Sequence, residues 1–426
     1  MSEPLILVTG ATGKTGAAVV AHLRARDARV RALVRRPDAR SARLQELGAE
    51  VAVADLFDPT QVAAALHGVS RLYYLPPWHP YMIQSAVVFA TAARRAGVEA
   101  VVGLSQWLAN PDHPSLATRQ NWLVEQLFDM VPGAVHTTVN PGFFADNYLG
   151  NGLIALAAQL GVLPVPTGQG RNAPPSNDDI ARVAAAVLLD PQEHAGRTYR
   201  PTGPTLLTGA DMATAVGDAV GRKVRHVDMP QRLFLRALRV MGPRAGIDMA
   251  QMAELRWYFD EYRLGTWELG APTTHVRDVT GMEPEDFAAL ARRYAAAPGA
   301  QRTVRNLARA VWDFTRIGLT PAPRLDRFVR QQHQPQPMAP ALSAESATWR
   351  AEHLAPAGSG RPPGRGRTPD LGSGGGALAR VTQTIVGGPC PLAVRRGGVT
   401  CSGSWRASGR AMGGTRHQAR LKDLVR

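Results

Sequence analysis

Near the N-terminus, Thr9-Gly10-Ala11-Thr12-Gly13-Lys14-Thr15-Gly16 spaces three glycines evenly between an apolar β-rich run and a helical pattern. Gly10 permits a tight strand-to-helix turn, Gly13 lets the backbone approach a pyrophosphate, and Gly16 lets the helix pack closely on the sheet. The helix N-terminus offers free N–H groups to phosphate charge, so the loop, with Thr12, Lys14 and Thr15, reads as the cradle of a dinucleotide. Such a loop is weak evidence in isolation and strong evidence after an N-terminal strand inside a βαβ unit.

Which dinucleotide is decided where the second strand ends, at Leu33-Val34-Arg35-Arg36-Pro37. An acid there would hydrogen-bond a ribose 2′-OH and repel a 2′-phosphate. None is present, and Arg35 offers a fork of N–H donors to a phosphate, with Lys14 a second positive charge nearby. The expectation is NADP(H) in preference to NAD(H), with a solvated surface role for Arg35 as the alternative. Asp55 and Leu56, after the third strand, are expected at the adenine, and Pro76-Pro77, after the fourth, beside the ribose and pyrophosphate.

The glycine loop and Val34-Arg35-Arg36-Pro37 resemble the short-chain dehydrogenase/reductase superfamily, and the resemblance implies Tyr four residues before Lys on the helix after the fifth strand, a phenol to protonate a carbonyl and an ammonium to lower its pKa. Lysine occurs only at positions 14, 223 and 422, preceded at that spacing by Gly10, Ala219 and Gln418. No such pair exists. In the local match Ala117 and Asn121 take the two slots, and Asn121 can hydrogen-bond but cannot act as an acid. Ser105 and Gln106, at the end of the fifth strand, could each donate a hydrogen bond to a carbonyl oxygen. Among His79, His113 and His136, His113 ranks first because its loop follows the fifth strand. Trp78, Trp107, Phe143, Phe144 and Tyr148 could line an aromatic pocket or pack the core. No spacing of His, Asp and Glu suggests a metal site.

The elements that must position these residues alternate. Strands are predicted at Leu5–Thr9, Val30–Val34, Glu50–Ala54, Arg71–Leu75, Ala100–Leu104 and Val135–Val139, with helices at Gly13–Arg26, Ala39–Leu47, Pro59–Leu66, Tyr81–Ala96 and Ser115–Met130 between them. This is the pattern of an α/β fold, a doubly wound parallel Rossmann sheet, here with a smaller, mostly helical C-terminal lobe and a disordered tail. The expected organisation is a binding domain over 1–146 and a substrate-facing lobe interleaved with the sheet over 147–300. A helical or extended wrap follows over 301–354, then a basic Gly/Arg/Pro-rich tail over 355–426.

The formal charge of +15 over 426 residues might suggest nucleic acid, but its distribution does not. The tail holds twelve Lys/Arg against Asp370 and Asp423, leaving +5 for the rest, and Trp405 is its one aromatic residue. Nucleic acid is therefore not the expected partner. Both cysteines, Cys390 and Cys401, lie in the tail, so the body has no thiol chemistry. With no apolar run near the roughly 18 residues of a membrane span, and no basic segment ahead of a hydrophobic one, the expected location is the cytoplasm.

The sequence resembles the NmrA-like branch of the atypical short-chain dehydrogenase/reductase superfamily over about residues 4–300. The resemblance rests on Thr9–Gly16, Val34-Arg35-Arg36-Pro37, Asp55, Leu66-His67-Gly68-Val69 and Leu75-Pro76-Pro77. More specific are Asn140-Pro141-Gly142-Phe143-Phe144-Ala145-Asp146-Asn147 and Asp178-Asp179-Ile180-Ala181. Tyr199-Arg200-Pro201-Thr202-Gly203-Pro204 is similar to the family's return to the sheet before its C-terminal lobe. The resemblance implies one of two functions. One is an NADPH-dependent reductase of quinones and related carbonyls, whose partner is a small molecule. The other is a non-catalytic NADP(H)-sensing regulator that binds a protein.

Overall fold

In the computed structural model, which describes residues 3–150 and 152–354, strand and helix alternate as the apolar periodicity requires. Strands β1 (Leu5–Val8), β2 (Arg29–Val34), β3 (Glu50–Val53), β4 (Arg71–Tyr74), β5 (Ala100–Leu104) and β6 (Val135–Val139) are joined by five helices. These are α1 (Lys14–Arg24), α2 (Ala39–Glu46), α3 (Pro59–Ala65), α4 (Met82–Ala96) and α5 (Leu116–Asp129). The ends are chemically set: Asp58 accepts from the Thr60 and Gln61 amides ahead of Pro59, and Ser115 caps α5 through the Thr118 amide.

The main sheet is wholly parallel in the order β3-β2-β1-β4-β5-β6-β8, where β8 is Thr198–Tyr199. Leu7 of β1 pairs with Arg31 on one side and Leu72 on the other, so the strand order switches between β1 and β4 while all strands keep one direction, and this switch is the point at which open α/β sheets bind ligands. Alternate residues bury opposite faces. Ile6, Val8 and Tyr73 pack with α1 and with α8 (Asn177–Leu189), whereas Leu5, Leu7, Leu72 and Tyr74 pack with α3, α4 and α5. The sequence reading counted six strands. The seventh, β8, is two residues long, too short to show a period, and pairs through Thr198 with Thr138.

Between β6 and α8 the chain leaves the sheet through α6 (Asp146–Leu149), α7 (Leu153–Leu160) and β7 (Val162–Pro164). After β8 it builds the lobe from α9 (Gly209–Val220), β9 (Arg225–Val227), α10 (Gln231–Met241), α11 (Met249–Leu255), α12 (Trp257–Arg263), α13 (His275–Thr280) and α14 (Phe287–Ala295). Strands β7 and β9 form a separate parallel pair. The last stretch holds α15 (Val304–Leu319), α16 (Leu325–Gln331) and α17 (Ala347–His353). A third core joins Trp107 and Leu108 to Tyr148, Met212, Trp267 and Trp349. The basic tail expected over 355–426 lies outside the described residues.

Candidate functional site

At the end of β1 the Thr9 amide bonds the Tyr73 carbonyl, and the Leu75 amide donates to Thr9 Oγ1 at 2.7 Å. These bonds lock the carboxyl ends of β1 and β4 together. Gly10 turns the chain with φ +61°, and a Cβ there would lie 2.5 Å from Leu75 Cδ2. The turn closes with the Gly13 amide on the Gly10 carbonyl at 2.8 Å. Gly16 sits so close to the same carbonyl that a Cβ would overlap its oxygen. Helix α1 then begins at an exposed Gly13 with no side-chain cap and no acid in its first turn, leaving its N-terminal N–H groups for an anion. The residues therefore fit a dinucleotide: a cradle stripped of side chains at the positive end of a helix. Thr12 is half-buried beside it. Thr15 is buried and its hydroxyl donates to Asn177 Oδ1 at 2.8 Å, pinning the loop to α8. Lys14 is exposed and pairs with Asp146 at 2.6 Å, and Asp146 also accepts from the Tyr294 hydroxyl.

On the outer side of the switch point, Arg35 and Arg36 follow β2 and are exposed, and among the described residues neither makes an ion pair. The next acid, Asp38, is occupied: it caps α2 through the Arg40 and Ser41 amides and pairs with the Arg40 guanidinium, which holds its carboxyl below the usual range. Asp55 is exposed, and one carboxylate oxygen accepts from the Phe57 amide at 3.0 Å, fixing the loop after β3. Leu56, Pro76 and Pro77 are half-buried around the same edge.

The inner side is built around β5. The Ser105 amide bonds the Val139 carbonyl, and the Ser105 hydroxyl donates to Glu125 on α5. Gln106 lies between two elements: its Nε2 donates to Thr118 Oγ1 at 3.3 Å, and its Oε1 accepts from the Tyr258 hydroxyl at 2.8 Å. Burial, and then the charges of Glu254 and Glu261, push the Tyr258 phenol well above its ordinary range, so it stays a neutral donor. The Tyr258 ring also meets Phe143 at 5.7 Å, and Phe143 stands against Trp267 at 5.1 Å, Tyr148 at 5.4 Å and Tyr262 at 6.0 Å.

Other sequence candidates go elsewhere. Asn121 turns its amide back onto the Ala117 carbonyl of its own helix at 2.9 Å. His113 is fully buried: one ring nitrogen meets Glu261 at 2.8 Å and the other accepts from the Ser115 amide, so no face is left for a substrate. Burial would raise the Glu261 carboxyl, but His113, the Ser343 amide and the Thr266 hydroxyl outweigh it and hold it below the usual range. Trp107 and Tyr148 are core residues, Phe144 packs against the sheet core, and Trp78 is exposed. Among the described residues no three His, Cys, Asp or Glu side chains cluster as metal ligands. Tyr258 was not legible beforehand: it arrives from α12, 152 residues after Gln106, with no local motif around it.

A model of the NmrA-like family matches residues 2–271. The NAD(P)H azoreductase of Xenophilus azovorans is 35% identical over 299 residues, 70% of this chain and all of that protein. A solved NADPH-dependent quinone oxidoreductase of Escherichia coli, complexed with NADPH, superposes with a TM-score of 0.58 at 24% identity, over 68% of this chain and 99% of its own. NmrA, a negative transcriptional regulator solved with NAD, superposes with a TM-score of 0.54 at 17% identity, over 68% of this chain and 95% of its own.

Proposed function

The chain belongs to the NmrA-like family, and on that premise we propose that it binds NADP(H) in preference to NAD(H) and reduces a quinone or another small conjugated carbonyl. One observation carries this reading: the glycine cradle after β1 and Gln106 after β5, held by Tyr258 of α12, both lie at the carboxyl edge of the parallel sheet, on either side of β4. Gly10, Thr12, Gly13, Lys14, Thr15 and Gly16 would hold the pyrophosphate, Arg35 the 2′-phosphate, Asp55 and Leu56 the adenine, and Pro76 the wall beside the ribose. The nicotinamide, when bound, supplies the hydride that no side chain can.

The protein's own part is placement and hydrogen bonding. Phe143 and Tyr258, half-buried and in edge contact, could offer ring surface to a flat conjugated acceptor. Gln106 keeps a second N–H beyond the one given to Thr118, and that N–H can meet an acceptor oxygen as negative charge gathers on it. Tyr258 acts through Gln106 as a positioning residue, fixing which way the amide faces. Ser105 ranks below them because its proton is committed to Glu125. The test is cofactor oxidation by the full chain, with NADPH, against quinones, conjugated carbonyls and azo dyes. Turnover with at least one acceptor is expected, and saturable NADPH binding without turnover across the panel would overturn the reading.

A second reading, a non-catalytic NADP(H)-sensing regulator with a protein partner, is favoured by α5, where Ala117 and Asn121 replace an acid–base pair and Asn121 bonds its own helix. That reading requires unequal affinity for reduced and oxidised cofactor. Equal dissociation constants in calorimetry count against it.

A further inference from the structure

Helix α15 carries large apolar side chains on its outward side. Asn306, Ala310, Asp313 and Ile317 recur at intervals of four and three and form its inward side, where Asp313 takes both carboxylate oxygens to Arg244 at 3.0 Å. The outward side is apolar. Val304 is 86% exposed, Leu319 81%, Trp312 62% and Phe314 55%, with Leu307 and Val311 nearly half exposed between them. A patch of this kind on one helix marks a binding surface rather than chance exposure. Arg305, Arg309 and Arg316 follow one flank of that face, and among the described residues none makes an ion pair.

The charge selects the occupant. Residues 301–333 hold seven arginines against Asp313 and Asp326, and both acids are already paired, with Arg244 and Arg256. A second copy would oppose arginine to arginine, and the chain's own C-terminal segment, twelve basic residues against two acids, has the same sign. An apolar face with Val304 and Val311 at its middle, Phe314 at one edge and Trp312 at the other beside the row of arginines, matches a bilayer of anionic lipids. The rings would enter the acyl boundary while the guanidinium groups reach the headgroups. Sixteen residues make a rod of about 24 Å, and its inner side, where Asp313 pairs with Arg244 and Ile317 is buried, keeps it on the protein, so it would lie flat. No helix among the described residues is long and apolar enough to cross a membrane.

We infer that the α15 face is a docking surface for anionic membranes. It lies apart from the cofactor cradle and holds whichever reading of that site is right. The experiment is co-sedimentation of the full chain with phosphatidylcholine vesicles with and without phosphatidylglycerol. Binding is expected only with the anionic lipid, weakened by salt. Arg305→Gln/Arg309→Gln/Arg316→Gln should weaken it on the order of 100-fold, from about 1 kcal/mol for each arginine near the surface. Trp312→Ser/Phe314→Ser should abolish pelleting while leaving NADPH binding intact. Brominated lipid should quench tryptophan fluorescence in wild type and less in Trp312→Phe. Wild-type binding by both multiple variants would assign the attraction to the basic C-terminal segment and overturn the inference. So would absence of vesicle binding, including a case in which the same face instead holds a dimer or an acidic protein.

Discussion

Arg35 stands in solvent at the end of β2 with no carboxylate to hold it, because Asp38, the first acid after it, is consumed by capping α2 and by Arg40. A free guanidinium at that place favours a 2′-phosphate by charge-assisted hydrogen bonding, so Arg35→Ala should cost about 1–3 kcal/mol of the preference for NADPH over NADH. Calorimetric titration of both cofactors into both proteins measures this, and unchanged selectivity would return Arg35 to the surface. On the inner side, Gln106→Leu removes the proposed donor and should lower kcat on the order of 10²-fold with NADPH affinity unchanged. Tyr258→Phe leaves the donor but frees its orientation, so a smaller fall in kcat with little change in KM is expected. Equal, near-wild-type kcat in both variants would remove the pair from the mechanism.

Helix α1 sits where it does because Gly16 lets it touch the turn at Gly10, and Thr15–Asn177 and His22–Asp178 then fasten it to α8. Gly16→Ala must push the helix away from β1. Overpacking of this kind costs about 1–3 kcal/mol, and the shift also spoils the cradle. Thermal melts should show a lower Tm and the loss of the rise that NADPH gives to wild type; an NADPH-induced rise of wild-type size would mean the loop tolerates the displacement. The same elements mark how far the sequence was readable. The cradle was legible because its parts are contiguous and each glycine answers a local steric demand. Strands β1 to β6 were legible because each is a short β-rich run set between helical patterns. Two-residue β8 carries no repeat, so only its likeness to related chains pointed to it. His113 and Tyr258 fail for another reason. Their roles depend on Glu261 and Gln106, which lie 148 and 152 residues away, and local pattern reports whether a side chain is buried, never which partner it meets.

Across the whole molecule, the segment from 335 to 353 closes over the loop that follows β5. The Ala341 amide bonds the Asp112 carbonyl, Ser343 bonds Glu261 and the Leu108 carbonyl, and the Trp349 indole donates to the Trp107 carbonyl at 2.7 Å. His353 stacks on Trp349 at 4.0 Å, where burial and then the charge of Arg200 drive its imidazole well below the usual value of 6.5. The folded state therefore keeps His353 neutral while the unfolded chain takes up a proton below that pH. Stability should fall as pH drops through 6.5, by up to about 1.4 kcal/mol per pH unit from this group. Glu261, held below its usual range, adds to the loss once pH falls through about 4.3, its unfolded value. Urea melts between pH 7.5 and pH 5.5 should give a shallower pH slope for His353→Gln than for wild type, and identical slopes would clear His353 of the effect. The clamp also imposes an order of assembly. Trp107 waits for a partner 242 residues further along the chain, so a polypeptide growing from its N-terminus can pair β1 through β8 and shape the phosphate cradle long before the loop beside Gln106 can be secured. The earlier-made part of each new molecule is thus complete around the glycine turn while the loop beside Gln106 is still unsecured.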